Sequence, residues 1–229
     1  TIEAWVHTNS SLWDNAYHGV IRNQIGSNST LRKPSIYFNQ GKIHVDSYSD
    51  GTMIRYDFLT SQEVFTQNAW THIALVKEGT LYKLYINGVL NSSYAAPSAI
   101  NITGPYRFGY IDNYFGGSLD EIRFWDVART ATQIQTSMNN ELVGNENGLV
   151  DYYKFNQGIP NGNNTTITSL EDGAGANNPG SFVTMALSGS NSNFVGGYIP
   201  SITGTNTMML GGTTQLANSL TGGTWTTSN

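Results

Sequence analysis

The chain has 229 residues, no cysteine, only 12% charged residues and a formal net charge of −5. Its length allows one sizeable domain with an appendage. The acidic balance leaves no basic stripe to neutralise phosphates, which argues against nucleic acid and anionic membranes as partners. No apolar run approaches the roughly 20 residues that a transmembrane helix needs, so we expect no membrane insertion.

Short segments of alternating apolar and polar residues predict strands along most of the chain. They lie at 2–6, 17–25, 35–39, 42–48, 52–59, 70–77, 81–86, 106–111, 119–125 and 149–155. Glycine marks three tight turns between them, at Gln40-Gly41, Asp50-Gly51 and Asn87-Gly88. Short strands at this spacing predict an all-β fold, an antiparallel sandwich.

One short helix is predicted after the strand 119–125. The hydroxyl of Thr130 can accept a hydrogen bond from a free amide of the first turn, and Gln133 completes a capping-box pattern. Ile134 and Met138 follow at helical spacing.

The strand 119–125 has two unlike faces. With a period of two, Asp120, Ile122 and Phe124 share the face that we expect to line the core. The other face then carries Leu119, Glu121, Arg123 and Trp125.

Four blocks of the sequence resemble the laminin-G-like jelly-roll family, within the concanavalin A-like lectin and glucanase superfamily. They lie in the family's order, at 1–6, 70–76, 84–90 and 116–126. The last block is similar to the family's closing strand, which precedes a short helix. The resemblance implies a jelly-roll over residues 1–157. Because another strand normally precedes the first block, we expect that first strand to be missing and a sheet edge to lie open beside residues 2–6.

Beyond residue 157 the composition shifts to Asn, Gly, Ser and Thr, with recurring apolar anchors. We expect residues 158–199 to form an extension packed on the sandwich and not a disordered linker. Residues 149–195 are similar to an extension that follows laminin-G-like modules in very large surface proteins of gliding bacteria that use type IX secretion. Residues 200–229 resemble the opening strands of a bacterial immunoglobulin-like repeat. These resemblances imply an extracellular module of a large bacterial cell-surface adhesin.

Calcium is a possible structural cofactor. It takes several carboxylate, amide and main-chain oxygens, and a glycine-rich loop before an acidic strand end can present all three. The candidate ligands are Asp120 and, in the preceding loop, Asp112 and Asn113. The family resemblance implies this role for Asp120 alone. In the alternative interpretation, Asp120 accepts hydrogen bonds from backbone amides of the preceding loop, and Asp112 and Asn113 form a turn.

Two loops combine aromatic and amide side chains in the way that a glycan site does. One loop carries Tyr110, Asn113, Tyr114 and Phe115, and the other carries Trp13. Aromatic faces stack on the C–H surfaces of sugars, and amides bind their hydroxyl groups. In the alternative interpretation, Tyr110 and Phe115 belong to the core and the Asn-rich loops are only turns.

The sequence carries no recognisable catalytic pattern. Two-carboxylate glycoside hydrolysis needs both groups at one sugar, and the Glu-x-Asp-x-Glu pattern of the superfamily's glucanases is absent. Asp120 and Glu121 are adjacent, so a regular strand turns them to opposite faces. His72 lies where the family also has histidine, and we expect a hydrogen-bonded core residue. An enzyme is therefore not expected.

We predict a non-catalytic recognition module that binds a glycan or a cell-surface protein and contributes to attachment or gliding. Two alternatives stay open. The chain could be a structural spacer or fibre-forming repeat, whose partners are neighbouring domains of the same chain or filament. It could also be an ancillary module of a secreted polysaccharide-degrading enzyme.

Overall fold

The computed structural model describes residues 1–24, 32–49, 52–96 and 105–198, and two short strands beyond them. A 3-10 helix spans Ser10–Trp13, and the α-helix, α1, spans Ala131–Ser137. The strands are β1 (Ile2–Thr8), β2 (His18–Gln24), β3 (Arg32–Asn39), β4 (Lys42–Ser49), β5 (Thr52–Thr60), β6 (Trp70–Glu78), β7 (Leu81–Ile86), β8 (Val89–Ala95), β9 (Tyr106–Phe108), β10 (Gly117–Trp125), β11 (Leu149–Tyr153), β12 (Ser169–Leu170), β13 (Gly180–Ser181), β14 (Thr203–Gly204) and β15 (Leu216–Ala217).

Two antiparallel sheets form a sandwich. The larger sheet has six strands in the order β11-β10-β1-β6-β7-β8, and the smaller has five in the order β5-β4-β3-β2-β9. Both sheets contribute side chains to one hydrophobic cluster, for example Val6 and Ile122 from the larger sheet and Ile21 and Phe38 from the smaller. The predicted all-β, antiparallel sandwich is therefore confirmed.

Tight turns join neighbouring strands where the sequence predicts them. Asn87 and Gly88 both have positive φ, 49° and 76°, as the two-residue turn between β7 and β8 requires. Gln40 and Gly41, with φ of 48° and 76°, do the same between β3 and β4. The predicted turn at 50–51 lies outside the described residues.

Helix α1 begins with the predicted capping box. The Thr130 hydroxyl accepts a hydrogen bond from the amide of Gln133, whose side chain accepts one from the Thr130 amide. Ile134 is fully buried against Ala74, Val76 and Tyr85. Helix α1 therefore covers the outer face of the larger sheet, opposite the face that packs on the smaller sheet.

The prediction of an open sheet edge beside residues 2–6 is wrong. Strand β1 pairs with β10 on one side and with β6 on the other. The pairing partners β6 and β10 come from much later in the chain, so local patterns could not reveal that β1 is an inner strand.

A β-bulge in β10 overturns the predicted faces of residues 119 and 120. Glu121 has a positive φ of 52°, and the register with β1 shifts between Glu3, opposite Arg123, and Trp5, opposite Asp120. The extra residue reverses the alternation N-terminal to it. Leu119 consequently packs against the inner core with Ile122 and Phe124, and Asp120 lies on the outer face.

The segment that follows β11 packs into the sandwich. Leu170, Leu187 and Phe194 belong to the same hydrophobic cluster as Ile122 and Tyr153. Beyond residue 198 the structure describes only β14 and β15, which pair antiparallel. Most of the segment predicted to begin an immunoglobulin-like repeat lies outside the described residues.

Candidate binding site

A wide groove of about 1800 Å³ opens between the sandwich and the extension. One wall comes from β9 and the loop between β9 and β10, and the other comes from residues 178–197. Aromatic side chains in the lining include Tyr106, Phe108, Tyr110, Tyr114, Phe155 and Phe182. The groove is therefore an open surface feature with a largely aromatic lining.

Two of the predicted ligand-binding residues meet in this groove. The rings of Tyr110 and Tyr114 are tilted against each other with their centroids 5.0 Å apart, and Tyr114 is 62% exposed. The Tyr114 hydroxyl shares a hydrogen bond of 3.2 Å with the hydroxyl of Thr184, on the opposite wall. The guanidinium of Arg107 lies 5.9 Å from the Tyr110 ring centroid. An exposed aromatic face thus stands next to hydrogen-bonding groups.

His18 holds this loop in place, which the sequence did not indicate. One ring nitrogen, Nδ1, lies 2.7 Å from the main-chain oxygen of Tyr114, and the other, Nε2, lies 2.9 Å from Oδ1 of Asp14. The hydrogen bond from His18 makes the largest contribution to lowering the pKa of the Asp14 carboxyl, and the hydrogen bond from the amide of Ala16 acts in the same direction. Both partners of His18 are acceptors, so both contacts are hydrogen bonds when each ring nitrogen carries a proton.

The other predicted ligand-binding residues lie elsewhere or deeper. Phe115 is buried in the core at the base of the groove, as the alternative interpretation holds. Trp13 packs on Phe38, with ring centroids 5.4 Å apart, and does not line the groove. The side-chain amide of Asn113 donates to the main-chain oxygen of Tyr17. The groove residues that sequence reasoning missed, Arg107 and Thr184, carry no local pattern that could mark them.

The carboxyl group of Asp120 is engaged by backbone amides. Its Oδ1 accepts a hydrogen bond of 2.9 Å from Glu121, and its Oδ2 accepts one of 2.7 Å from Tyr198. Burial raises the pKa of Asp120 to about 7, although the amide of Tyr198 acts in the opposite direction. The alternative interpretation expected backbone amides here, but the donors are the strand residue Glu121 and Tyr198 of the extension and not the preceding loop.

The three predicted calcium ligands have different surroundings in the structure. Asp112 is exposed in the loop before β10, and Asn113 turns toward Tyr17. Within the described residues, no three acidic or histidine side chains stand together in a way that could hold a metal ion. Calcium binding at Asp120 stays a prediction.

The bulge places Asp120 and Glu121 beside the same small pocket, contrary to the expectation of opposite faces. This pocket, which Glu141 and Asn156 also line, has a volume of about 20 Å³, room for about one water molecule. Glu121 is also held by Arg123 and by the hydroxyl of Tyr152. Because a sugar ring does not fit this space, the shared face does not create a two-carboxylate site.

His72 is a fully buried core residue, as predicted. Its Nε2 lies 3.5 Å from Oε2 of Glu3. Burial lowers the pKa of His72, although Glu3 raises it in part. The described part of the chain contains no helix long and apolar enough to cross a bilayer.

Residues 1–135 match the family model described as the concanavalin A-like lectin/glucanases superfamily. The chain belongs to this superfamily. No curated protein matches its sequence.

The solved structures that resemble this chain are distant in sequence. One is a provisionally assigned carbohydrate-binding protein from Bacteroides ovatus, with 17% identity and a TM-score of 0.56 over 79% of this chain. The present chain spans 50% of the length of that protein. Another is domain 4 of an extracellular arabinanase from Geobacillus stearothermophilus, solved with arabinotriose (21% identity, TM-score 0.46, 59% of this chain and 64% of that domain). A third is the botulinum neurotoxin serotype D binding domain (13% identity, TM-score 0.48, 74% of this chain and 44% of that one).

Proposed function

We propose that this chain is a non-catalytic carbohydrate-binding module, which takes a saccharide in the groove between Tyr114 and the extension. The main support is the exposed Tyr110–Tyr114 pair at the mouth of an aromatic-lined groove. A tyrosine ring offers a flat apolar face to the C–H surface of a sugar, and its ordering costs little conformational entropy.

The groove also supplies polar groups that suit sugar hydroxyls. Arg107 carries N–H donors beside the tyrosine pair, and the Thr184 hydroxyl can donate or accept. At the far end, the side-chain amide of Asn178 donates to the carboxylate of Asp151. A binding site of this kind combines an apolar surface with a few placed polar groups.

The size of the groove favours a saccharide of several linked sugar residues. Its volume of about 1800 Å³ exceeds the roughly 300–1,000 Å³ that is usual for one small ligand. The Bacteroides ovatus protein of the same fold is provisionally assigned to carbohydrate binding, in agreement with this proposal.

The test is to screen the whole chain on a broad glycan array and to measure the affinity of the best saccharide by calorimetry. Tyr114→Ala removes the exposed ring, and we expect at least tenfold weaker binding, about 1.4 kcal/mol. Tyr17→Ala is the matched control. The Tyr17 side chain is 47% exposed and its ring packs against Tyr37, but it does not line the groove. Equal affinities for both variants contradict the groove as the binding site.

We further propose that the module acts outside the cell, at a bacterial surface, within a larger adhesin. The support is the resemblance of residues 149–195 to an extension that follows laminin-G-like modules in such proteins, together with the laminin-G-like blocks that precede it in this chain. Failure of every glycan on the array favours the spacer function instead. A catalytic domain elsewhere in the full-length protein favours the ancillary module of a polysaccharide-degrading enzyme.

A further inference from the structure

An aromatic cleft on the outer face of the larger sheet holds the end of the extension. The ring of Tyr198 stacks on the indole of Trp5, with centroids 3.6 Å apart and planes at 11°. Trp70 meets the same ring edge-on at 6.2 Å. Trp5 lies on β1 and Trp70 begins β6, so the ring spans two neighbouring strands.

Hydrogen bonds fix Tyr198 in this cleft at both of its ends. Its amide donates to Oδ2 of Asp120 at 2.7 Å, and its hydroxyl donates to Oδ1 of Asn139 at 2.9 Å. Gly197 comes so close to Asp120 that a Cβ atom there would lie 2.3 Å from Oδ2. The cleft therefore fits glycine followed by tyrosine.

The same segment forms part of a groove wall. Phe194 is anchored in the core, and its main-chain oxygen accepts a hydrogen bond from Asn161. Residues 195–197 line the groove, and within the described structure their backbone makes no hydrogen bond. Tyr198, which does not line the groove, is the next fixed point of this wall.

We propose that the contact of Tyr198 with Trp5, Trp70 and Asp120 is a latch that positions this wall for ligand binding. The latch residue Tyr198 is a positioning residue, which acts on the ligand through residues 195–197. Without the latch, the wall is fixed only as far as Phe194, and it moves away from Tyr114 on the facing wall. The part of this inference that concerns ligand affinity rests on the proposed function, whereas the positioning of the wall does not.

The experiment compares Tyr198→Ala with Tyr198→Phe in the whole chain, by hydrogen–deuterium exchange and by saccharide binding. The Ala variant loses the stacked ring, whereas the Phe variant keeps the ring and the amide contact and loses only the bond to Asn139. We expect at least tenfold faster exchange of the residue-198 amide, which donates to Asp120 in the wild type, in the Ala variant, with peptides covering 70–86 unchanged. We also expect about tenfold weaker binding of the array's best saccharide, and values within twofold of the wild type for the Phe variant.

The two readouts separate the latch from the proposed function. Unchanged exchange of the residue-198 amide in Tyr198→Ala overturns the latch, whatever the affinity. Faster exchange with unchanged affinity shows that the latch does not position a ligand-binding wall, and overturns the inference as well. If the wild type binds no saccharide, the proposed function fails and exchange alone decides whether Tyr198 positions the wall. Gly197→Ala is the second variant, because the added Cβ displaces the segment from Asp120 without removing an aromatic ring.

Discussion

The carboxylate of Glu3 accepts a hydrogen bond of 2.7 Å from the guanidinium of Arg129, and both side chains are buried on the outer face of the larger sheet. Arg129 also donates to the main-chain oxygen of Gln133 in α1, and its guanidinium lies 4.0 Å from the ring centroid of Trp125. Burial alone would raise the pKa of Glu3, but His72, Arg129 and Arg123 together bring it below its usual value. This ion pair therefore joins β1 to the helix across the sheet.

Replacing Glu3 tests how strongly that ion pair is coupled to folding. Glu3→Gln leaves the guanidinium of Arg129 buried without a counter-charge, and we expect the free energy of unfolding to fall by roughly 3 kcal/mol. Urea denaturation monitored by circular dichroism measures this change. Glu78→Gln is the control, since Glu78 pairs with Lys83 in solvent and screening makes such a pair worth little. A loss no larger than that of the control contradicts a structural role for Glu3.

The carboxyl of Asp120 predicts a specific dependence of stability on pH. In the folded protein its pKa is about 7, above the ordinary 3.8. Burial and the charge of Glu121 raise this pKa, and Arg123 lowers it in part. The folded state then holds the proton more tightly, so this contribution to stability is complete below pH 4 and is lost as the pH rises to 7. The loss is up to about 4 kcal/mol.

Asp120→Asn removes the titrating group and should flatten this part of the profile. We expect the wild type to be more stable than the variant at pH 4.5, because Asn supplies one acceptor for two amides, and the difference to shrink or reverse by pH 8. Thermal unfolding of both proteins in buffers from pH 4.5 to pH 8 measures this difference in stability. Parallel profiles for the two proteins would show that Asp120 keeps an ordinary pKa.

His18 should couple the loop of Asp14 to the loop of Tyr114. His18→Ala removes both ring contacts, and we expect fivefold to tenfold weaker saccharide binding because the Tyr114 loop is no longer fixed. In a double-mutant cycle, the losses of binding free energy for His18→Ala and Tyr114→Ala should be less than additive, because both substitutions act through the ring of Tyr114. His44→Ala, which removes a ring stacked on Tyr37 away from the groove, is the control. Full additivity in the cycle would contradict the coupling.

Gly19 lies where β2 passes directly beneath the Tyr110 loop. A Cβ atom at this position would lie 2.2 Å from the carbonyl carbon of Tyr110 and 2.3 Å from the amide nitrogen of Ile111. Because backbone cannot yield as a side chain does, we expect Gly19→Ala to destabilise the fold by about 2 kcal/mol or more. Gly175→Ala, which meets no atom within 4 Å, should leave the urea midpoint unchanged. Equal midpoints for the two variants would show that the loop can move.

The sequence predicted the elements of this fold well where their signals are local. The alternating strands, the turn at Asn87-Gly88 and the capping box of Thr130 and Gln133 depend on residues within a few positions of each other, and all are confirmed. The bulge at Glu121 has no such signal. A single residue with positive φ reversed the faces predicted for Leu119 and Asp120.

The candidate site was harder to predict because it is assembled from distant segments. Aromatic composition alone brought attention to Tyr110 and Tyr114, which do meet in the groove. Thr184 lies 70 residues from Tyr114, and Tyr198 lies 78 residues from Asp120. Composition also pointed to Trp13, whose ring packs on Phe38. Only the folded arrangement distinguishes an aromatic side chain that packs inward from one that faces the groove.

The side chains of Leu170, Leu187 and Phe194 complete the core although they lie beyond the 135 residues that the superfamily shares. The unit that can be inherited or exchanged between proteins is therefore longer than the part that sequence comparison recognises. A gene fusion made at residue 135 would leave out β11 as well, and Phe124 would lose the ring of Tyr153 that packs edge-on against it. The folded unit of this chain therefore includes β11 and the segment that follows it.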